Sequence, residues 1–218
     1  MSAVLVAIDG PSGSGKSTVA RRVAEQLGIG YLDTGAMYRA LAWLALSEGV
    51  DLHDEAAVRA LADRLDLELS PGRVRVGEVD VTAAIRTPEV TAAVPPVARN
   101  LAVRAWMAQE QRRQMLAARE AGTGMVAEGR DITTVVCPEA DVRVLLTASE
   151  EARLRRRTLE LHGELTEETL EATRAQIVDR DRSDATVSEF FDPAPGVVLI
   201  DSSNASIDEV VEQILSLV

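Results

Sequence analysis

Residues 10–17 have the types and the spacing to bind phosphate. They read Gly-Pro-Ser-Gly-Ser-Gly-Lys-Ser and fit the pattern G-x-x-x-x-G-K-S/T. An apolar run over residues 4–8 precedes them, and apolar residues at helical spacing follow from Val19 to Leu27, which predicts a strand, a loop and a helix. The glycines let the backbone approach an anion closely, and backbone N–H groups at the helix N-terminus then point at it. The sequence therefore predicts a loop that binds the phosphates of a nucleoside triphosphate, and a fortuitous Gly-rich turn is the alternative.

Two side chains of this loop add chemistry to its backbone. Lys16 is expected to reach the β- and γ-phosphates, and the Ser17 hydroxyl is expected to bind Mg²⁺. Lys16 is also the only lysine in the chain, beside 22 arginines. A compact ammonium suits this position better than a planar guanidinium does. The composition thus supports the same role for Lys16 as the motif.

An arginine cluster predicts a second feature of the site. A predicted helix over residues 149–161 contains four arginines within a span of five residues: Arg153, Arg155, Arg156 and Arg157. Arg153, Arg156 and Arg157 share one face of this helix. A solvated face that pairs with neighbouring glutamates is the alternative interpretation. We favour the interpretation that this helix is part of a mobile lid, because phosphoryl transfer requires positive charge positioned at the reacting phosphates.

Three further arginines suggest an acceptor that is itself anionic. Arg130 stands at the end of a predicted strand, Arg39 lies one turn into a helix, and Arg180 follows the lid. Guanidinium groups bind phosphate oxygens in a bidentate manner. The sequence thus predicts a site for a donor triphosphate and a phosphorylated acceptor.

The order of predicted elements places these residues on an α/β fold. Buried strands alternate with helices, which predicts a doubly wound, five-stranded parallel sheet whose carboxyl edge binds ligands. Residues 66–82 alternate apolar and polar and contain turn residues, so short antiparallel strands are expected in an insert at about 66–95. A helix from Pro88 is expected to be interrupted at Pro95-Pro96, and a long helix to follow over residues 97–121.

Composition limits the class of protein. The chain has 218 residues, 46 % of them hydrophobic, which is enough for a single domain with a small insert. Its net charge of −12 argues against nucleic-acid or membrane partners. It contains no signal pattern and no apolar run of about 18 residues. Cys137 is the only cysteine, which favours a cytoplasmic location. His53 and His162 are expected at the surface.

The chain resembles the bacterial cytidylate kinase family of P-loop nucleoside monophosphate kinases. Six stretches carry the resemblance over almost the whole chain: IDGPSGSGKST (8–18), LDTGAMYR (32–39), IRTPEV (85–90), EGRDITTVV (128–136), ASEEARLRRR (148–157) and DRDRSD (179–184). The resemblance implies a single kinase domain over 1–218, with a nucleotide-binding insert at about 66–95 and an Arg-rich lid at about 149–170. It also implies transfer of the ATP γ-phosphate to CMP or dCMP, with Mg²⁺, by a monomeric cytoplasmic enzyme of pyrimidine metabolism.

The resemblance assigns roles to residues of this sequence. It implies that ATP phosphates are bound by Gly10, Pro11, Ser12, Gly13, Ser14, Gly15, Lys16, Ser17 and Thr18. It implies that the acceptor is bound by Thr34, Arg39, Arg104, Arg130, Asp131, Arg180 and Asp184, with Arg104 and Asp184 reading the base. Catalysis is assigned to Lys16, Asp33, Arg130, Arg153 and Arg157, and Mg²⁺ to Ser17 and, through water, Asp33.

The sequence departs from the family at two positions. Pro95 stands where a serine usually contacts the base, and Val187 stands where an arginine usually follows the Asp184 region. A kinase of UMP, AMP or another phosphorylated acceptor therefore stays open as an alternative. A second alternative is a nucleotide-binding switch without enzymatic activity, but the Arg-rich helix over residues 149–161 argues against it.

Overall fold

A five-stranded parallel sheet carries the predicted phosphate loop. The computed structural model describes residues 3–70, 72–186, 188 and 191–218, and within that part it leaves the side chains of 175, 176, 178–180 and 182–185 undescribed. The strands are β1 (Leu5–Asp9), β2 (Gly30–Asp33), β6 (Met125–Gly129), β7 (Val142–Thr147) and β8 (Val198–Asp201). Their order is β2-β6-β1-β7-β8, so β1 lies at the centre between β6 and β7. The predicted fold class is confirmed.

Helices and a second, smaller sheet make up the rest of the chain. The helices are α1 (Lys16–Leu27), α2 (Thr34–Ser47), α3 (Glu55–Asp63), α4 (Pro88–Arg99), α5 (Leu101–Glu120), α6 (Glu150–His162), α7 (Glu167–Ala185) and α8 (Ile207–Leu215). The small sheet is antiparallel, with β3 (Leu67–Ser70), β4 (Arg73–Val76) and β5 (Val79–Asp80), as the alternation over 66–82 predicted. A 3₁₀ turn spans Ala84–Arg86 and a π-helical turn spans Ile132–Val136.

The residues group into two compact units. The first comprises 1–31 and 114–218, and the second comprises 32–113. In the first unit, apolar residues of the central strands pack with α1 and α8 in one core, to which Val6, Ile8, Val23, Leu146 and Ile214 contribute fully buried side chains. This core holds the strand ends from which the phosphate loop and its neighbours project.

The second unit has a core of its own. Val74 and Val76 alternate with exposed or half-buried residues along β4, and they pack with Val81 and Ile85 against Ala36 and Ala40 of α2. Small residues on α2 allow this close packing. Helix α2 also contacts α3 and α4.

The prediction that Pro95-Pro96 interrupts a helix was wrong. Helix α4 continues through both prolines to Arg99. Each proline removes a backbone donor, but Val90, Ala93 and Val97 of this helix are buried, and that packing supports the helix.

The break lies instead at Asn100. Its side-chain oxygen accepts hydrogen bonds from the backbone N–H groups of Ala102 and Val103, at 3.1 and 3.2 Å, and its amide donates to the Glu55 carbonyl at 2.9 Å. Asn100 thus caps the start of α5. The long helix expected over 97–121 is therefore two helices.

Two other expectations concern the surface. His53 and His162 are both exposed, as predicted. In the described ranges, no helix is long and apolar enough to cross a membrane.

Candidate active site

The phosphate loop connects the carboxyl end of β1 to the N-terminus of α1. Gly15, with φ of 89°, is the N-cap of α1, and its carbonyl accepts the first helical hydrogen bond, from Val19 N–H at 3.0 Å. The N–H groups of the first helical turn therefore face the loop and can bind an anion. Gly13 has φ of 77°, and a Cβ there would lie 2.7 Å from the Arg153 carbonyl oxygen. Only glycine fits this close approach of backbone to backbone.

Lys16 and Ser17 are the first two residues of α1, and the side chain of each donates a hydrogen bond. Lys16 Nζ donates to the Pro11 carbonyl at 3.3 Å, across the loop. Ser17 Oγ donates to Glu128 Oε1 at 2.7 Å, and Tyr31 Oη donates to the same oxygen at 3.3 Å. Glu128 is buried near the end of β6. A hydroxyl that donates its proton to a carboxylate keeps its lone pairs for a cation.

Two polar atoms near the loop are buried without a hydrogen-bond partner in the part of the chain that the structure describes. Ser14 Oγ and Arg153 Nε are buried and have no hydrogen-bond partner among the described residues. Buried polar groups are normally paired. Both atoms can donate a hydrogen bond, and a bound phosphate would supply the acceptors.

Arg153 lies against the phosphate loop. Its Nη1 donates to the Ser12 carbonyl at 3.0 Å, and the same nitrogen forms an ion pair with Asp181 Oδ2. Asp181 Oδ1 in turn accepts from the Ser12 N–H at 3.2 Å. The guanidinium of Arg153 therefore lies beside the loop, and its catalytic role stays a prediction.

The other arginines of α6 differ from one another. Arg156 donates to Ser202 Oγ at 2.9 Å, and that hydroxyl donates to the Ser14 carbonyl at 3.0 Å. Arg157 pairs with Glu160 at 2.8 Å, and Arg155 is exposed. The glutamate-pairing interpretation thus describes Arg157 here, whereas Arg153 and Arg156 support the loop.

Arg130 and Asp131 follow β6 next to the loop. Arg130 Nη1 donates to the Gly10 carbonyl at 2.8 Å, so its guanidinium lies at the first residue of the loop. Asp131 precedes the π-helical turn, and its carbonyl accepts from the N–H groups of Val135 and Val136. This part of the first unit therefore places Arg130 beside the residues that would bind the donor.

Asp9 is a buried carboxylate at the end of β1. It accepts hydrogen bonds from Ile132 N–H at 2.9 Å, from Thr133 N–H at 2.7 Å and from Thr133 Oγ1 at 2.6 Å. Burial raises the pKa of Asp9 from 3.8 to about 6, although these hydrogen bonds lower it and the charge of Asp131 raises it slightly.

This shift predicts a pH dependence of stability. The folded state binds a proton on Asp9 more tightly than the unfolded state does, so the contribution of Asp9 to stability is greatest below the unfolded pKa and is lost as the pH rises through about 6. We expect the free energy of unfolding of the wild type, relative to Asp9→Asn, to fall by about 2 kcal/mol between about pH 4 and about pH 7. Denaturant titrations of both proteins across this range measure the difference, and a constant difference would contradict the prediction.

The remaining assigned side chains lie in the second unit. Asp33 caps α2, where its Oδ1 accepts from Ala36 N–H at 2.9 Å, and its Oδ2 lies 3.4 Å from Arg86 Nη2. Thr34 is buried at the start of α2. Arg39 donates to the Ile85 carbonyl at 3.1 Å and to Thr91 Oγ1 at 2.9 Å. Arg104 Nη1 donates to the Ala98 carbonyl at 3.4 Å. These contacts order the side chains within this unit.

Three expected positions lie outside the described part of the chain. Arg180 and Asp184 belong to α7, but their side chains are not described, and Val187 is not described at all. Their roles stay predictions.

Sequence reasoning did not single out several residues that surround the loop. Glu128 ends a buried run, and an acidic residue at the end of a strand next to the phosphate-loop strand is a signal that could have identified it. Asp181 and Ser202 contact the loop from distant parts of the chain, at sequence separations of 169 and 188 residues. No local pattern indicates such contacts.

Several known proteins are similar to this chain in sequence or in fold. A family model described as cytidylate kinase matches residues 6–218. A bifunctional pantoate ligase/cytidylate kinase of Prochlorococcus marinus (strain MIT 9303) is 45 % identical over 221 residues, which cover 98 % of this chain and 44 % of that protein. The chain thus spans less than half the length of the first curated relatives it matches. A cytidylate kinase of Streptomyces avermitilis is 41 % identical over 99 % of this chain and 93 % of its own. A solved structure of an uncharacterized protein from Eubacterium ventriosum shares the fold alone, with a TM-score of 0.54 at 13 % identity, covering 98 % of this chain and 96 % of its own.

Proposed function

The chain belongs to the cytidylate kinase family, and from that membership we propose that it transfers the γ-phosphate of ATP to CMP or dCMP, which yields ADP and CDP or dCDP. The observation that carries the proposal is the phosphate loop, in which Lys16 and Ser17 begin a helix beside the buried Glu128 and the guanidinium groups of Arg130 and Arg153. A non-enzymatic switch would not need these arginines.

Catalysis by this chain consists of positioning and charge. An oxygen of the acceptor phosphate attacks the γ-phosphorus, the bond to the β,γ-bridging oxygen breaks, and ADP leaves. Negative charge on the transferred group is stabilised by Lys16 and by the loop N–H groups. We assign the same task to Arg130 and Arg153, which already lie at the loop, and to Arg157, one turn further along α6.

The residues at the loop fit Mg²⁺. This ion is usually held by one or two protein oxygens together with phosphates and water. Ser17 Oγ would bind it, Glu128 would orient that hydroxyl, and Asp33 would act through water, as the resemblance implies. Bound to the ATP phosphates, the ion would neutralise developing charge.

Both units contain residues that we assign to the acceptor. In the first unit they are Arg130 and Asp131, with Arg180 and Asp184 from α7. In the second unit they are Thr34, Arg39 and Arg104. Pro95 has no hydroxyl for the base, so a UMP or AMP kinase is the second candidate function. We further propose that the enzyme is a cytoplasmic monomer that serves pyrimidine metabolism.

The variant Arg104→Met tests the assignment of the base site. We expect the KM for CMP to rise about ten- to a hundred-fold, because a charge-assisted hydrogen bond to the base is lost. The KM for ATP should stay within about two-fold, since Arg104 has no assigned role toward the donor. Initial rates at varied CMP and varied ATP give both constants. Equal losses for the two substrates would show that the base site is misplaced.

A coupled ADP-release assay tests the function itself. ATP and Mg²⁺ are supplied with CMP, dCMP, UMP, dUMP, AMP, GMP or TMP in turn, and a parallel series contains EDTA. The proposal predicts that CMP and dCMP are the best acceptors and that EDTA abolishes turnover. Preference for UMP or AMP would favour the second candidate. ADP release without any acceptor requirement would contradict both.

A further inference from the structure

The start of the phosphate loop is tied to the segment after β6 by a buried carboxylate. Asp9 is 2 % exposed, and both of its oxygens accept hydrogen bonds from Ile132 and Thr133, the first two residues of the π-helical turn. A carboxylate that accepts three hydrogen bonds at 2.6 to 2.9 Å has a fixed orientation.

A second connection runs in the opposite direction. Arg130 donates to the Gly10 carbonyl at 2.8 Å. The strand register pairs Asp9 with Gly129, so both connections lie at the carboxyl ends of the adjacent strands β1 and β6. Hydrogen bonds therefore join residues 9–10 to residues 130–133 in both directions, since Asp9 accepts from one segment and Arg130 donates to the other.

Packing alone does not explain a charged group at this position. Because burial raises the pKa of Asp9 to about 6, the ionised carboxylate at neutral pH is held against a desolvation cost. An apolar residue would fill the space without that cost, but it would leave the N–H groups of Ile132 and Thr133 without their acceptor.

We propose that Asp9 is a positioning residue that fixes Arg130 and Asp131, and with them the acceptor nucleotide, relative to the phosphate loop. The inference rests on the proposed function, which assigns Arg130 and Asp131 to the acceptor. Transfer between two bound phosphates depends on their alignment, and a displacement of about 1 Å can lower the rate about a hundred-fold. Asp9 touches neither substrate in this scheme and acts through the segment that follows β6.

The variant Asp9→Asn tests this role with two readouts. The asparagine keeps the shape of Asp9, but its NH₂ group faces an N–H donor of Ile132 or Thr133. In the ligand-free enzyme, hydrogen exchange measured by NMR should accelerate about ten- to a hundred-fold at these two amides, because hydrogen bonds to a charged group are lost. In steady-state assays, kcat should fall and the KM for the acceptor should rise about ten-fold or more, while the KM for ATP stays within about two-fold.

Asp141→Asn is the matched control at the other end of β1. The carboxylate of Asp141 accepts from the Leu5 N–H at 2.8 Å and pairs with Arg119 at 2.6 Å. Its loss should lower the midpoint of denaturation without changing the exchange of the Ile132 and Thr133 amides or the KM for the acceptor. If Asp9→Asn does not fold, Thr133→Val removes one of the three hydrogen bonds and should shift both readouts in the same direction by less.

Several results would overturn the proposal. Unchanged exchange at Ile132 and Thr133 would show that Asp9 does not fix this segment, whatever the enzyme's substrate is. Faster exchange with unaltered kinetics would show that the segment does not position the acceptor. Equal losses for ATP and the acceptor would indicate a role in the phosphate loop only. Failure of the proposed function is a separate result, because it is a property of the wild type. In that case the kinetic readout uses the monophosphate that the wild type accepts, and if it accepts none, the exchange readout decides.

Discussion

Lys16→Met is expected to lower kcat about a thousand-fold while the protein remains folded. The ammonium stabilises negative charge that develops on the transferred phosphoryl group, and methionine has a similar length but no charge. Lys16 is only half-buried, and its Nζ contacts the Pro11 carbonyl at 3.3 Å, so little packing is lost. Initial rates with ATP and CMP measure the effect, and circular dichroism with a denaturant titration verifies the fold.

Arg22→Met is the control on the same helix. Arg22 pairs with Asp208 at the surface of α1 and lies outside the loop. Exposed ion pairs contribute little, so kcat should stay within about two-fold of the wild type. Near-normal turnover of Lys16→Met would contradict the assignment of the phosphate loop, and equal losses in the two variants would indicate a general effect of removing charge from α1.

Gly10→Ala is expected to destabilise the protein by more than about 3 kcal/mol. A Cβ at Gly10 would lie 2.1 Å from the Leu146 carbonyl oxygen, which belongs to the neighbouring strand β7. The Leu146 carbonyl belongs to the central sheet, and Gly10 directly follows β1, which pairs with β7, so separating the two groups would disturb this pairing. The free energy of unfolding from denaturant titration measures the loss.

Gly28→Ala separates the steric effect from the loss of a glycine. Gly28 has φ of 65°, but a Cβ there would meet no atom within 4 Å. Its replacement should therefore cost only about 1–2 kcal/mol, the strain of a left-handed residue. A loss at Gly10 no larger than the loss at Gly28 would show that β7 gives way at Leu146.

Much of the fold could be predicted because it depends on local patterns. The apolar run before Gly10 and the alternation over residues 66–82 each predicted an element that the structure contains. The resemblance to the cytidylate kinase family is likewise confirmed by the family match. Helix α4 was less predictable because packing by Val90, Ala93 and Val97 outweighs the effect of its prolines.

The site was predictable only in part. The motif predicted the loop between β1 and α1, because the glycine spacing and Lys16 are local features of the sequence. The contacts that hold it come from Asp181, Ser202 and Glu128, more than 100 residues away in the sequence. Strand order brings Glu128 and Ser202 to the loop, and Asp181 reaches it from α7. A single sequence contains no local signal of these contacts. The apolar run predicted β1, which ends at Asp9, but the hydrogen bonds of Asp9 with Ile132 and Thr133 required the structure.

A competition experiment between two nucleoside monophosphates tests whether CMP is the acceptor. CMP and UMP are supplied together at equal concentration with ATP and Mg²⁺, and CDP and UDP are separated by chromatography at early times. The ratio of products then gives the ratio of kcat/KM. We expect CDP to exceed UDP about ten-fold or more, because the proposed recognition of the cytosine amine contributes a charge-assisted hydrogen bond. Equal amounts, or an excess of UDP, would contradict the assignment of CMP as the acceptor.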